Sequence, residues 1–232
     1  MTETSPLAPE YGRAFALWRA ADPATWRSYT HHGFVAGLGD GSLPTACFRH
    51  YLVQDYVFLV HFARAWALAV VKAQSIAEMR AASATVEALI NTEMQLHIET
   101  CAGLGISEAE LFNARESPAN MAYTRYVLDA GFAGDLADLL AALAPCVLGY
   151  GEIGARLGLS ASSTTYGDWI GTYASAEYQD LCRDVGSLID QALAARIGED
   201  FTASPRWAAL TQRFQAATRL EAGFWQMGLD RS

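Results

Sequence analysis

Apolar residues recur every three or four positions along most of the chain, and few stretches alternate apolar and polar residues. A repeat of three and four places apolar side chains on one face of an α-helix, whereas alternation is typical of half-buried strands. The pattern therefore predicts an all-α protein. Because no internal repeat or linker interrupts the pattern, we predict one domain over 1–232, with about 1–9 as a flexible N-terminal extension.

Caps and helix breakers divide this domain into predicted helices. Asp22-Pro23, Ser117-Pro118 and Ser204-Pro205 each place a proline directly after a capping residue, which is typical of a helix start. A capping box at 107–110 predicts one further short helix. The longer helices are predicted at roughly 9–21, 22–37, 44–71, 75–101, 117–131, 135–157, 166–173, 175–197 and 204–227.

The segment 145–154 is unusual within the helix predicted at 135–157. Pro145 lacks a backbone N–H and crowds the preceding turn, so we expect the helix to be interrupted there. Three glycines at 149, 151 and 154 leave space in which another group can approach the backbone closely. Cys146 and Tyr150 lie four residues apart and share one helical face. They form either a chemical site or a buried thiol beside a core tyrosine, and residue type alone favours the buried thiol.

Two carboxylates occur among aromatic residues. Asp55 lies on the apolar stripe of the helix predicted at 44–71, and Glu221 lies one turn before Trp225. An unpaired carboxylate in apolar surroundings costs several kcal/mol, so each requires an explanation. Asp55 is either functional or bonded to a buried tyrosine or arginine. Glu221 is either functional or a solvated residue paired with Arg219.

Composition narrows the class of protein. The chain is 52% hydrophobic and 18% charged, which favours a compact globular protein, and its net charge of -9 disfavours binding to nucleic acid. The N-terminus has no signal-peptide pattern, and the most apolar run, read as 56–71, is too short to span a bilayer. The four cysteines show no zinc-site spacing. We expect a soluble cytoplasmic protein with reduced thiols.

Two patterns give only weak indications of a metal or haem. Glu93 and His97 lie one turn apart, as in some di-metal proteins, but the second Glu-x-x-His that such sites require is missing. His31-His32 has no companion feature that would indicate a haem ligand. We therefore expect no metal and no cofactor.

Six stretches together, in order, resemble the TenA/thiaminase II family, and they cover nearly all of the chain beyond about residue 10. Each stretch alone would be weak. The matching residues are Tyr51-Leu52-Val53-Gln54-Asp55-Tyr56-Val57-Phe58-Leu59, Glu93-Met94-Gln95-Leu96-His97, Ser117-Pro118 with Tyr123-Thr124, Leu143-Ala144-Pro145-Cys146 with Tyr150 and Glu152-Ile153-Gly154, Trp169-Ile170-Gly171-Thr172-Tyr173, and Glu221 with Phe224-Trp225-Gln226-Met227.

The resemblance implies a heme-oxygenase-like helical bundle, usually a homotetramer. It implies an aminohydrolase that cleaves the exocyclic C–N bond of 4-amino-5-aminomethyl-2-methylpyrimidine. The product is the hydroxymethylpyrimidine used in thiamin salvage, and thiamin itself is typically a poorer substrate. One branch of the family lacks the cysteine, and Cys146 places this chain in the cysteine-containing branch.

The resemblance also implies residue roles. Cys146 would be the nucleophile, Glu221 would move protons, and Asp55 would hold the 4-amino group and the adjacent ring nitrogen. The implied substrate-binding residues are Tyr51, Phe58, Tyr123, Tyr150 and Tyr173. Phe58 departs from a tyrosine found in some members. A thiol in an apolar, acidic pocket should have a raised pKa, so we expect Cys146 to lose its proton only during attack, either to Glu221 or through a tyrosine.

Two other functions remain open. One is a non-catalytic thiamin-related binding or regulatory protein, although the chain has no basic helix for DNA. The other is a haem- or quinone-handling enzyme on the same fold, which would need ligands or a basic pocket that the sequence lacks.

Overall fold

The computed structural model describes residues 9–232, and these residues form helices with no β-strand among them. The predicted all-α class is confirmed. Residues 1–8, which make up most of the predicted flexible extension, lie outside the described residues. The α-helices are α1 (Arg13–Ala21), α2 (Pro23–Thr30), α3 (Gly33–Asp40), α4 (Thr45–Lys72), α5 (Ile76–Ala88), α6 (Met94–Gly103), α7 (Glu108–Phe112), α8 (Pro118–Ala133), α9 (Leu136–Ser160), α10 (Gly167–Ala174), α11 (Ala176–Ile197) and α12 (Trp207–Asp230).

The helix predicted at 22–37 is two helices, so that prediction was wrong. The chain breaks at His31 and His32, and the His32 side chain accepts a hydrogen bond from the backbone N–H of Phe34 at 3.2 Å. This bond caps the start of α3. Apolar periodicity continues through the break, because both helices bury apolar residues against the same core.

The single helix predicted at 75–101 is interrupted by a π-turn at Leu89–Glu93, which separates α5 from α6. The backbone N–H of Met94 bonds to the carbonyl of Leu89, five residues earlier. Such single wide turns are frequent at functional sites. The turn shifts the side chains after Leu89 relative to those of α5, which a regular period of 3.6 does not predict.

The interruption predicted at Pro145 is wrong, because α9 continues through it. The helix lies in the middle of the bundle, and tight packing along its length holds it together despite the missing N–H. Tyr29 additionally donates a hydrogen bond from its hydroxyl to the Pro145 carbonyl at 3.2 Å. A side chain at Gly149 would collide with the Tyr29 ring, and one at Gly151 with Cys182 Sγ. These glycines therefore admit neighbouring protein groups rather than a ligand.

The central position of α9 explains its composition. It is long and apolar enough to cross a membrane, and 89% of its most apolar window is buried inside the protein. Among the described residues no other helix meets this test, in agreement with the prediction that the run 56–71 is too short to span a bilayer. Helices α8, α10, α11 and α12 all pack against α9. Side chains on its surface therefore meet residues that are distant in sequence.

Candidate active site

A cavity lies between α4, α5 with its π-turn, α9, α10 and α11. Its wall is mostly apolar and aromatic, with one thiol and two carboxylates. The lining residues are Asp55, Phe58, Leu59, Phe62, Thr85, Ala88, Leu89, Glu93, Cys146, Val147, Tyr150, Tyr173, Tyr178, Leu181 and Val185. A mostly apolar cavity with a few convergent polar groups is the usual form of a small-molecule site.

Cys146 contributes the thiol. It lies on α9 one turn before Tyr150, and both residues line the cavity, as their spacing predicted. Cys47, Cys101 and Cys182 are buried and do not line it. Burial raises the pKa of the Cys146 thiol well above its usual value, and the charges of Glu221 and Asp55 raise it further. The resting thiol is therefore protonated at neutral pH.

Asp55 faces the cavity from α4 and has an unexpected neighbour. His97 Nδ1 lies 3.5 Å from Asp55 Oδ2, and His97 Nε2 lies 2.8 Å from the Leu52 carbonyl oxygen. Since a carbonyl only accepts, Nε2 carries a proton and Nδ1 faces Asp55. Burial raises the pKa of Asp55 to about 7, and a hydrogen bond from Tyr51 opposes this increase. The sequence left a buried tyrosine or an arginine as the structural partner of Asp55. Among the described residues Tyr51 bonds to Asp55 and no arginine does.

Glu221 lies on α12 behind Cys146 and is 1% exposed. Its interpretation as a solvated residue paired with Arg219 is wrong. The Tyr123 hydroxyl donates to Glu221 Oε1 at 2.7 Å. Burial raises the pKa of Glu221 to about 8, while hydrogen bonds from Tyr123 and Cys146 lower it. The structure thus brings Cys146, Asp55 and Glu221 together, with Glu221 adjacent to the thiol rather than on the cavity wall.

The aromatic residues fall into two groups. Phe58, Tyr150 and Tyr173 line the cavity, and the rings of Tyr150 and Tyr173 meet edge to face with centroids 5.0 Å apart. Tyr51 and Tyr123 are almost fully buried and do not line it. They contact the cavity-lining groups from behind, Tyr123 by stacking on Phe58 at 5.2 Å.

Phe58→Tyr is expected to be tolerated, because Phe58 borders the cavity and its ring need not carry a new hydroxyl into the packed core. We expect a change of less than about 1.5 kcal/mol in the free energy of unfolding and a change of less than about tenfold in kcat/KM. Denaturant titration and steady-state kinetics measure both. The control is Phe224→Tyr, which buries a hydroxyl at a 2% exposed position that does not line the cavity and should cost about 1–3 kcal/mol. Equal destabilisation by both variants would show that Phe58 is an ordinary core residue.

Sequence reasoning gave Glu93 no role other than as part of a weak metal pattern with His97. In the structure Glu93 ends the π-turn and lines the cavity. Burial, and then the charge of Asp55, raise its pKa to about 7. Within residues 9–232, no group of three or more His, Cys, Asp and Glu side chains could hold a metal ion. The spacing that suggested a metal instead places His97 against Asp55 and Glu93 in the cavity wall.

Comparisons with known proteins agree with this geometry. Residues 19–231 match the model of the TENA/THI-4/PQQC family. The chain is 44% identical over 208 residues to an uncharacterised protein of Haemophilus influenzae, covering 88% of this chain and 94% of that one. It is 36% identical over 217 residues to the aminopyrimidine aminohydrolase of Halalkalibacterium halodurans, covering 92% and 94% of the two chains.

A solved structure from a Silicibacter species, described as a TenA family transcription regulator, is 61% identical and superimposes with a TM-score of 0.94. The match covers 94% of this chain and 97% of that one. The resemblance to the TenA/thiaminase II family and the heme-oxygenase-like bundle that it implied are therefore confirmed. With a family match over residues 19–231 and a 36% identical relative that is matched almost end to end, this chain belongs to the TENA/THI-4/PQQC family.

Proposed function

We propose that the protein is an aminopyrimidine aminohydrolase of the thiaminase II type. It hydrolyses the exocyclic C–N bond of 4-amino-5-aminomethyl-2-methylpyrimidine, and the hydroxymethylpyrimidine and ammonia that it releases serve thiamin salvage. The observation that carries the proposal is the position of the Cys146 thiol on a small apolar cavity, with Asp55 on the same wall and Glu221 directly behind. The 36% identical relative, which is named aminopyrimidine aminohydrolase, supports it.

Asp55 would bind the aminopyrimidine edge. A carboxyl group can accept a hydrogen bond from the 4-amino group through one oxygen and bond to the adjacent ring nitrogen through the other. The raised pKa of Asp55, about 7, makes both its protonated and ionised forms accessible near neutral pH. Tyr150 and Tyr173 would pack around the ring. Tyr123 would donate a hydrogen bond to the second ring nitrogen. Its hydroxyl donates to Glu221 in the structure, so it would have to change that partner.

In the first half of the reaction, Cys146 adds to carbon 6 of the ring. The S–C bond forms, the thiol proton passes to the adjacent Glu221, and the electron pair moves onto a ring nitrogen. That pair then returns and breaks the exocyclic C–N bond. The departing ammonia takes the proton from Glu221 and leaves as ammonium. Covalent addition in this way divides one difficult displacement into two easier steps.

In the second half, Glu221 is again a carboxylate and removes a proton from water. The hydroxide adds to the exocyclic methylene, and the electron pair returns through the ring to expel the Cys146 thiolate. The thiolate recovers its proton from Glu221. The net reaction consumes the aminomethyl cation and water and yields the hydroxymethyl product and ammonium, and every group of the protein returns to its initial state.

The direct test is to incubate the purified protein with the aminomethylpyrimidine and to measure ammonia and the hydroxymethyl product together. Stoichiometric release of both supports the proposal.

Binding without turnover would favour a second candidate, a regulatory protein that senses a thiamin-related ligand. That candidate has one specific observation in its favour, the description of the 61% identical Silicibacter protein as a transcription regulator. The net charge of -9 argues against direct contact with DNA.

Asp55→Asn is expected to reduce kcat/KM by about 10–100-fold, since a charge-assisted hydrogen bond contributes about 1.5–3 kcal/mol. The amide cannot present either two acceptors or an acidic proton to the aminopyrimidine edge. Folding should be unaffected or slightly improved, because burial already disfavours the charge of Asp55. Steady-state kinetics and thermal denaturation measure the two effects. Asp129→Asn, at an exposed position on α8, is the control, and an unchanged kcat/KM in Asp55→Asn would remove Asp55 from the site.

We also propose that the enzyme is a cytoplasmic homo-oligomer, as the family resemblance implies a tetramer. Large apolar side chains on the surface of the single chain support association. Phe112 is 60% exposed, Phe132 69% and Leu159 87%. Contact between copies would remove such side chains from water.

A further inference from the structure

Glu93 is a carboxylate of the cavity wall to which the proposed reaction gives no role. It is placed there by the π-turn, in which the Met94 N–H bonds to the carbonyl of Leu89, five residues earlier instead of the usual four. In the part of the chain that the structure describes, no Lys, Arg or His side chain forms an ion pair with Glu93. A partly buried carboxylate without a protein cation is available to a ligand.

The charged side chains that line the cavity are all acidic. Its lining includes Asp55 and Glu93 but no Lys and no Arg. The titratable groups whose charges interact with Glu93 include Asp55 on α4, Cys146 on α9, Tyr173 on α10 and Tyr178 on α11, and each of these is neutral or negative. Burial lowers the pKa of His97, which lies one turn after Glu93 on α6, so its neutral form is favoured. Burial, and then the charge of Asp55, raise the pKa of Glu93 to about 7. A cationic ligand would stabilise the ionised carboxylates that burial disfavours.

We propose that Glu93 binds the ammonium group on the aminomethyl arm of the substrate and selects cationic aminopyrimidines over neutral ones. The inference rests on the proposed function above. A primary amine on a methylene carbon is protonated at neutral pH, as a lysine side chain is, whereas the hydroxymethyl product is neutral. Asp55 holds the edge of the ring, and Glu93 holds the charged arm.

This assignment explains how substrate and product are distinguished although they share the same ring. The substrate forms an ion pair with Glu93 in a cavity of low polarity, where such a contact is stronger than in water. Hydrolysis removes the positive charge from the arm, and the product loses the contact. Glu93 thereby favours binding of substrate over retention of product. In thiamin the same methylene carbon carries a positively charged ring in place of the ammonium group. Thiamin therefore meets the same charge requirement with a bulkier group.

The test compares two ligands that differ only in the arm, the aminomethyl and the hydroxymethyl pyrimidine. Both are titrated by calorimetry into Cys146→Ser, which binds without rapid turnover, and into the same variant carrying Glu93→Gln. We expect Glu93→Gln to weaken the aminomethyl compound by about tenfold or more and the hydroxymethyl compound by less than about twofold. Glu99→Gln, at an exposed position on α6, is the matched control and should change neither affinity.

An equal loss for both ligands, or no loss for either, overturns the role of Glu93. If Cys146→Ser binds neither compound, the proposed function itself fails, and this inference fails with it. A second measurement varies the pH. Between pH 8 and pH 6 Glu93 becomes protonated, so the ratio of aminomethyl to hydroxymethyl affinity should fall, and it should fall less in Glu93→Gln, where only Asp55 and Glu221 still titrate in this range. A ratio that falls equally in both proteins would also overturn the inference.

Discussion

Cys146→Ser should lower kcat by about a thousandfold or more, the scale of loss expected when an enzyme loses its nucleophile. A hydroxyl is far less nucleophilic than a thiol at neutral pH, and no base adjoining it is strong enough to compensate. The fold should be preserved, because the change from sulfur to oxygen at a cavity wall leaves little empty volume. Ammonia release and thermal denaturation measure the two effects. Cys47→Ser is the matched control, since its hydroxyl can keep the bond that the thiol makes to the Leu229 carbonyl at 3.3 Å.

Chemical labelling tests the same residue in the unaltered enzyme. A small alkylating reagent should modify Cys146 before the three buried cysteines, and the hydroxymethyl product should protect it. Because burial and the carboxylates raise the pKa of the thiol above its usual 9.0, labelling should be slow near pH 7 and should still accelerate above pH 9. Rapid labelling at pH 6 would contradict this electrostatic argument. Full activity of Cys146→Ala would contradict the role of Cys146 and make it a packing residue.

Glu221→Gln should lower kcat by about 10²–10⁴-fold, the usual contribution of a general acid–base group, with a much smaller change in affinity. Glutamine keeps the shape of the side chain and can still accept the bond from Tyr123, but it cannot receive the thiol proton. Folding should not suffer, since burial already opposes the charge of Glu221. Single-turnover kinetics and product binding separate the two effects.

The pH profile distinguishes this role from simple packing. Glu221 must be ionised to accept the thiol proton, and burial raises its pKa to about 8. Activity of the unaltered enzyme should therefore increase as the pH is raised through about 8, because Glu221 then becomes ionised. The residual activity of Glu221→Gln should lack this dependence. Tyr123→Phe is the companion variant, since it removes the 2.7 Å hydrogen bond but leaves the carboxyl group able to move protons. A Glu221→Gln protein with full kcat would assign Glu221 to packing alone.

The helices were predictable because their signals are local. The Asp22 carboxylate caps α2 by accepting from Thr25 N–H at 3.0 Å, and Ser117 caps α8 by accepting from Asn120 N–H at 3.2 Å, as the capping residues before proline indicated. The errors arose where distant residues compete with local preference. Packing against the rest of the bundle keeps α9 continuous at Pro145, and no local pattern distinguishes the π-turn at Leu89–Glu93 from an ordinary helix.

The site was partly predictable for a similar reason. Asp55 stood out because a carboxylate on an apolar stripe is costly, and Cys146 and Tyr150 were paired because helical spacing is regular. Glu221 was ambiguous, since its exposure depends on how α12 packs against α8 and α9. His97 and Glu93 were assigned to a weak metal pattern, because the sequence does not show which side chains they will face.

The sequence by itself determined the helical class, most helix starts and the family, because periodicity, capping and motif order are written in neighbouring residues. Only the tertiary structure decided that Glu221 is buried beside Cys146, that His97 lies 3.5 Å from Asp55, and that Glu93 reaches the cavity. These properties depend on burial and on the distance between charges. Both are set by the packing of helices that are far apart in the chain, and the pKa values of the site follow from them.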